Sequence, residues 1–185
     1  MRGPCFPKPY ADRAARLRVP CGFLLAAAFA WLARPSWFSL LAGLPFMLAG
    51  MALRAWAAGH LLKNERLATG GPYAYTRNPL YLGTATVAAG LAVAARRPLL
   101  ALLLAVFFLL LYLPAIELEE QHLRRLFADY EAYARRTPRF GLRRGGPSPE
   151  RFRWDLYKRN REHQALLALL AGLAWLAWKA ACGGC

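Results

Sequence analysis

Acidic residues are scarce in this chain: Asp and Glu total 10 of 185 residues, against 25 Lys and Arg. Charged residues of both signs make up only 19%, below the roughly one quarter usual in soluble domains. With 57% hydrophobic residues, the low hydrophobicity that marks intrinsic disorder is also missing. The three histidines, His60, His122 and His163, are too scattered to argue a metal site. Of the four cysteines, Cys182 and Cys185 have CxxC spacing, but no second pair lies nearby to complete the four ligands of a structural zinc. No metal site is therefore expected. No GxGxxG follows a strand-like run, and neither GxxxxGK[ST] nor HExxH occurs, so a soluble nucleotide-binding fold and a zinc peptidase lack support. There is no internal repeat, and low complexity is confined to a Gly/Pro-rich break at 143–149.

What the chain has is long uncharged runs. Residues 19–33, 35–53, 78–95, 98–116 and 163–178 contain no Asp, Glu, Lys or Arg. A hydrocarbon core ~30 Å thick needs about 20 apolar residues, with about 17 as the lower limit. The middle three runs fit directly. The outer two need their flanks, where Arg18, Arg34 and Lys179 can snorkel to the headgroups. The first run, with its basic leader and Ala28-Phe29-Ala30, has a rival reading as a cleaved signal peptide, but the leader is long and Arg34-Pro35-Ser36 leads straight into another span. Open strands cannot satisfy their backbone in lipid, so the spans are read as helices.

The formal charge of +15 would suggest nucleic acid in a soluble protein, but here the basic residues lie between apolar runs. With five spans, the N-terminal segment, 60–77 and 117–162 share one side and carry twenty Lys and Arg, against four on the other. That asymmetry places the N-terminus and the long loops in the cytoplasm of an inner (plasma) membrane. The expectation is an all-α integral membrane bundle of about five transmembrane helices with a cytoplasmic amphipathic helix. It divides into a basic arm (1–18), a membrane core (19–141), a cytoplasmic linker (142–162) and a C-terminal helix with its tail (163–185). Membrane lipid is the expected partner and nucleic acid is not; the sequence does not fix an oligomeric state.

Polar residues gather at the cytoplasmic ends of spans two to four. Gly70-Gly71-Pro72 forces a turn. Asn78-Pro79 reads as a helix start, with Asn as cap and Pro at the first helical position. Neither explains Arg77 with Tyr73, Tyr75 and Tyr81 around it, which is either an interfacial aromatic belt or a site. Past the fourth span, a helix continued from Ile116 would put Leu123, Phe127, Tyr130 and Ala134 on one face. Glu119 falls in the middle of that face, Glu120 at its edge one turn before Arg124, and Glu117 well off it. Glu120 is then explained as an i,i+4 pair with Arg124. A carboxylate centred on an apolar face needs a partner: for Glu119 that is an arginine such as Arg77 or Arg54, or a ligand. Arg54, near the end of the second span, reads as a snorkelling residue.

In sequence order, these pieces resemble the isoprenylcysteine carboxyl methyltransferase family and its phospholipid methyltransferase relatives over residues 53–140. Leu53-Arg54-Ala55-Trp56-Ala57 is similar to the end of the family's second conserved span, and Leu67-Ala68-Thr69-Gly70-Gly71-Pro72-Tyr73 to the turn before its signature. Arg77-Asn78-Pro79-Leu80-Tyr81-Leu82-Gly83 resembles the Arg-His-Pro-x-Tyr-x-Gly signature. Glu119-Glu120, Phe127-Ala128-Asp129-Tyr130, Tyr133 and Pro138-Arg139-Phe140 resemble the elements that follow.

The resemblance implies a membrane enzyme that takes S-adenosylmethionine from the cytosol and a lipophilic small-molecule or lipid-linked substrate from the membrane. It implies that Leu67, Ala68, Tyr73, Asn78, Pro79, Leu80, Tyr81 and the pair Glu119 and Glu120 bind the cofactor, Glu119 holding a polar group such as its ammonium. Asn78 replaces the signature His, Ala128 the Gly of Phe-Gly, and Ala115 an Arg that binds substrate in the eukaryotic prenylcysteine enzymes. A carboxylate acceptor needs its charge aimed, which the fork of Arg77 suits. An amine or phenol acceptor, as in a phospholipid or small-molecule N- or O-methyltransferase, needs a proton removed, with Glu120 the nearest base. The spans and basic loops equally fit a non-catalytic scaffold or transporter. A membrane reductase using a nicotinamide cofactor is a third possibility.

Overall fold

The computed structural model describes residues 6–141 and 150–183, and these contain helices but no strand. Eight α-helices follow in order: α1 (Lys8–Leu32), α2 (Trp37–Ala58), α3 (Pro79–Ala95), α4 (Pro98–Phe107), α5 (Leu113–Leu126), α6 (Tyr130–Arg136), α7 (Trp154–Arg159) and α8 (Glu162–Cys182). One turn of π-helix, Phe108–Tyr112, joins α4 to α5, so Pro98–Leu126 is a single helical run of 29 residues. That run, α1, α2 and α8 are each long and apolar enough to cross a membrane. α3, with 17 residues, sits at the lower limit for a span. The chain is an integral membrane bundle, and the expected spans are all helical.

α1 begins at Lys8, so residues 8–18 of the expected arm are helix continuous with the first span. Part of the expected linker is also helical, as α7. The Gly/Pro-rich break at 143–149 and the cysteines Cys5 and Cys185 lie outside the described residues; Cys21 and Cys182 are free thiols.

α2 and α3 form the tightest pair, and glycine is the reason. Gly43 and Gly50 on α2 face Gly90 and Gly83 on α3 in antiparallel register. A Cβ on Gly50 would lie 2.6 Å from the Gly83 carbonyl oxygen, and one on Gly90 2.7 Å from that of Gly43. Small residues let backbones touch where lipid gives helices little reason to associate. Met47, between the glycine pairs, and Ala94, just beyond Gly90, are fully buried in the seam. At the far end, Ser36 and Ser39 form a reciprocal cap of α2, and the Ser39 hydroxyl also donates to the Ala94 carbonyl at 2.9 Å.

α8 is fastened at both ends. Near its start, Glu162 accepts from Arg54 Nε at 2.6 Å, while Arg54 also donates to the Thr84 hydroxyl. This replaces the expected snorkelling of Arg54: a buried carboxylate lies nearer than the headgroups, and the pair satisfies both charges. At its far end, Lys179 Nζ donates to the terminal carbonyls of α1, Ala30 and Trp31, at 3.0 and 2.8 Å.

The connections bring the start of α1, the end of α2, the start of α3, the end of α5 and the start of α8 to one face of the bundle. The 29-residue run is ~43 Å long at 1.5 Å per residue, more than a ~30 Å core can hold, so the Glu117–Glu120 turn lies beyond the hydrocarbon.

Candidate functional site

The Gly-Gly-Pro turn forms as expected, as a short 3₁₀ turn (Gly71–Ala74). Gly71 has φ +54, and a Cβ there would lie 2.6 Å from the His60 ring, so this position requires glycine on two counts. The turn aims buried Tyr73 inward and leads into the non-helical segment 76–78. These pair with the segment after α6: Arg77 N–H donates to the Pro138 carbonyl at 2.9 Å and the Thr76 hydroxyl to that of Arg139 at 3.2 Å. The Tyr133 hydroxyl donates to the Tyr73 carbonyl at 2.8 Å, tying α6 to the turn.

Behind these segments sits Glu120, 2% exposed. It accepts from Arg139 Nη2 at 2.8 Å and Nε at 3.2 Å, from Asn78 Nδ2 at 3.1 Å and from Arg77 Nη1 at 3.4 Å. Glu117 is buried as well, whereas Glu119 is exposed to the cavity. This inverts the expected faces, and the cause is the end of α5. The helix stops at Leu126, Phe127 is extended, and Tyr130 and Tyr133 belong to α6. Phe127, Tyr130 and Ala134, used to phase the face, are therefore not on that helix. Two further expectations change with it. Arg124 pairs with Glu131 at 3.1 Å rather than with Glu120. Asn78 holds the N-cap position and Pro79 opens α3, but the Asn78 side chain makes no cap bond; its Nδ2 instead donates to the charged acceptor Glu120. Glu119 pairs with neither Arg77 nor Arg54; its Oε2 accepts from the Tyr81 hydroxyl at 2.8 Å.

In front of Glu120 lies a cavity of about 610 Å3. Leu67, Ala68, Tyr73, Arg77, Asn78, Pro79, Leu80, Tyr81 and Glu119 all line it. Of the residues expected at the site, only Glu120 is absent from its wall. The size suits a small-molecule site, and the wall combines apolar faces with a few converging polar groups. Arg77 and Tyr130 lie against each other on this wall, where the guanidinium acts to lower the Tyr130 pKa, although Arg77 Nε and the Tyr130 hydroxyl make no well-formed hydrogen bond. Six basic residues, Lys8, Arg18, Lys63, Arg66, Arg77 and Arg125, outnumber Asp12 and Glu119 around it.

Burial and the charge of Glu119 push the Tyr73 hydroxyl well above the usual tyrosine range. Burial likewise raises Tyr133. Burial and then Glu120 push Tyr130 up to about 12. All three stay protonated donors at neutral pH rather than bases. Burial alone would lower the Arg139 guanidinium, but the bonds and charge of Glu120 outweigh it and raise its pKa.

Sequence reasoning missed Arg139, the main partner of Glu120, although Pro138-Arg139-Phe140 was one of the matching pieces. It also left Arg18 as a snorkelling flank, whereas its Nη1 donates to the Tyr81 hydroxyl at 3.1 Å inside the cavity. No signal in the local sequence separates those two roles. Among the described residues, no group of three His, Cys, Asp or Glu could hold a metal ion.

The chain is 38% identical over 89 residues to the nickel-cobalt-cadmium resistance protein NccN of Alcaligenes xylosoxydans xylosoxydans, a match covering 47% of this chain and 42% of that protein. It is 36% identical over 89 residues to the cobalt-zinc-cadmium resistance protein CzcN of Cupriavidus metallidurans, covering 47% and 41%. The chain thus spans under half the length of these curated relatives. No solved structure matches it. The profile of the phospholipid methyltransferase family covers residues 38–130, from the start of α2 to the start of α6, and so includes the Arg77 signature and both glutamates of the site. The chain belongs to the phospholipid methyltransferase family.

Proposed function

We propose that the protein is a membrane methyltransferase that uses S-adenosylmethionine and acts on a lipophilic acceptor, a carboxylate in the reading the Arg77 fork favours. The observation that carries this is the cavity in which the family signature, Glu119, Arg77 and Tyr130 converge at one end of a membrane bundle. S-adenosylmethionine, when bound, supplies an electrophilic methyl group on a sulfonium. Its polar and apolar halves match the two kinds of wall. Leu67, Ala68, Pro79 and Leu80 offer apolar surface, and the Glu119 carboxylate, steadied by Tyr81, offers an anion for the ammonium. Arg77 lines the cavity, and its planar fork suits an anionic group. Glu120, engaged by two arginines and an amide, is the support that holds Arg77 and Asn78 in place and is not free to act as a base. That argues against an amine or phenol acceptor deprotonated by Glu120.

The twenty-to-four basic asymmetry orients the cavity toward the cytoplasm, where the cofactor is dissolved. The relatives' names link them to metal resistance. Carried to this chain, that role fits a change made to membrane lipid better than metal binding by the core, since the described residues hold no ligand cluster.

Isothermal titration of the protein in detergent with S-adenosylmethionine and with NADPH tests the reading. It requires saturable binding of the first and not the second. NADPH binding alone would establish the reductase alternative, and binding of neither the scaffold or transporter alternative.

A further inference from the structure

Below the site, within the span region, lies a second cavity of about 670 Å3, and its wall is almost wholly apolar. Gly22 and Phe29 of α1, Val87 of α3, Leu104 of α4 and Gly172 of α8 contribute to it. Two of these elements, α1 and α8, lie outside the stretch that matches the family. Arg18 lines both cavities and is the one charged residue in the wall of the second. Its guanidinium donates to Tyr81, sits 5.8 Å from the centre of the Tyr112 ring, and forms no ion pair among the described residues. Its nearest carboxylate in this network, Glu119, is reached only through the Tyr81 hydroxyl, so the half-buried guanidinium at the head of the apolar groove has room for an anion of its own.

The groove has the dimensions of a lipid chain. From Arg18 to Ala30 the α1 wall runs ~18 Å at 1.5 Å per residue, compared with ~15 Å for one leaflet, half of a ~30 Å core. The groove is open beside Gly172, where a Cβ would meet nothing within 4 Å. The Tyr81 hydroxyl connects the two chambers, accepting from Arg18 and donating to Glu119.

We infer that the groove and Arg18 together select the acceptor: one long hydrocarbon chain lies between α1, α3 and α8, and the anionic group it carries meets Arg18 beside the cofactor cavity. This rests on the methyltransferase reading and assigns acceptor choice to α1 and α8, outside the family-matched core. A fatty carboxylate and a lipid phosphate share the required chemistry, and a comparison of probes separates them.

The test uses the full chain in zwitterionic nanodiscs. Binding of palmitate, hexadecyl phosphate, hexadecanol and octanoate is measured alongside S-adenosylmethionine, for the wild type, Arg18→Gln and Gly172→Phe. The wild type should prefer the two long-chain anions over hexadecanol by about tenfold or more, the worth of one charged hydrogen bond. The better-bound anion identifies carboxylate or phosphate. Arg18→Gln should erase the preference. Gly172→Phe should abolish long-chain binding while leaving octanoate and S-adenosylmethionine affinity within about twofold, because a side chain there enters open space. Hexadecanol binding as tightly as palmitate overturns the inference. So does an Arg18→Gln protein that keeps the preference while losing cofactor affinity, which would make Arg18 a cofactor residue. If Arg18→Gln does not fold, the wild-type preference and the Gly172→Phe result decide. Loss of S-adenosylmethionine binding in the wild type would instead sink the methyltransferase reading itself.

Discussion

Replacing Glu120 by Gln separates the architecture of the site from its chemistry. Glu120 is 2% exposed and accepts from Arg139, Asn78 and Arg77. An amide keeps the shape but removes the charge and one acceptor, leaving two guanidiniums without a counter-ion. Breaking a buried ion pair costs about 3–5 kcal/mol, and the lower end applies because the Arg139 side chain, 33% exposed, can turn to water. For a chain of this length, about 3 kcal/mol corresponds to a fall in Tm on the order of 10 °C. Glu119→Gln should behave oppositely. Its carboxylate faces the cavity and has one partner, Tyr81, so Tm should barely move, while S-adenosylmethionine affinity should fall by the worth of a charged hydrogen bond, about 1.5–3 kcal/mol. The assay is thermal unfolding in detergent, paired with titration of the cofactor. The double change Glu120→Gln with Arg139→Gln should recover part of the lost stability, because it removes one of the uncompensated charges. Two glutamine variants with the same Tm and the same loss of affinity would refute the burial assigned to this turn.

Other consequences follow from the packing and the tyrosines. Gly50→Leu or Gly90→Leu should lower the yield of folded protein sharply, since each Cβ would press on backbone across the α2–α3 seam, whereas Gly172→Ala should be neutral. Phenolate absorbance should show Tyr73, Tyr130 and Tyr133 silent through the usual tyrosine range. Their raised pKa values favour the protonated folded state, so this stability is full below pH 10 and is lost as pH climbs, through about 12 for Tyr130. Titration of all three near pH 10 with the fold intact would contradict their burial. Reporter fusions after Arg144 and after Cys185 should fall on opposite sides of the membrane, with the first cytoplasmic; the same side for both would remove α8 as a span.

Much of this was legible in the sequence because membrane spans are set by composition, and composition is local. Uncharged runs bounded by arginine marked the helices, and Gly-Gly-Pro and Asn-Pro marked the turn and the start of α3. The ordered fragments also brought together the residues of the cavity wall. The choice between Glu119 and Glu120 was not legible, since helical phase holds only as far as the helix. The extended Phe127 ends α5 before Tyr130, and no proline or glycine announces it. The partner of Glu120 lies 19 residues on, across a further helix, where periodicity has no reach. The glycine seam did leave a signal: Gly43 and Gly50, like Gly83 and Gly90, stand seven apart on facing spans. The role of Arg18 depends on α1 lying beside the π turn at Tyr112 and reaching Tyr81 of α3, tertiary contacts that its own neighbours in sequence do not encode.

The central claim is that this cavity serves methyl transfer to a lipophilic acceptor. Its most direct test incubates membranes carrying the protein with methyl-labelled S-adenosylmethionine and counts label in the organic extract, against membranes carrying Glu119→Gln. The account predicts organic-soluble label that depends on the protein, falls steeply in the variant, and is released by base as methanol, as a carboxyl ester requires. Base-stable label in a headgroup would establish the N-methyl alternative and contradict the carboxylate assignment. Folded protein that incorporates no label from any membrane extract would contradict the methyltransferase account as a whole.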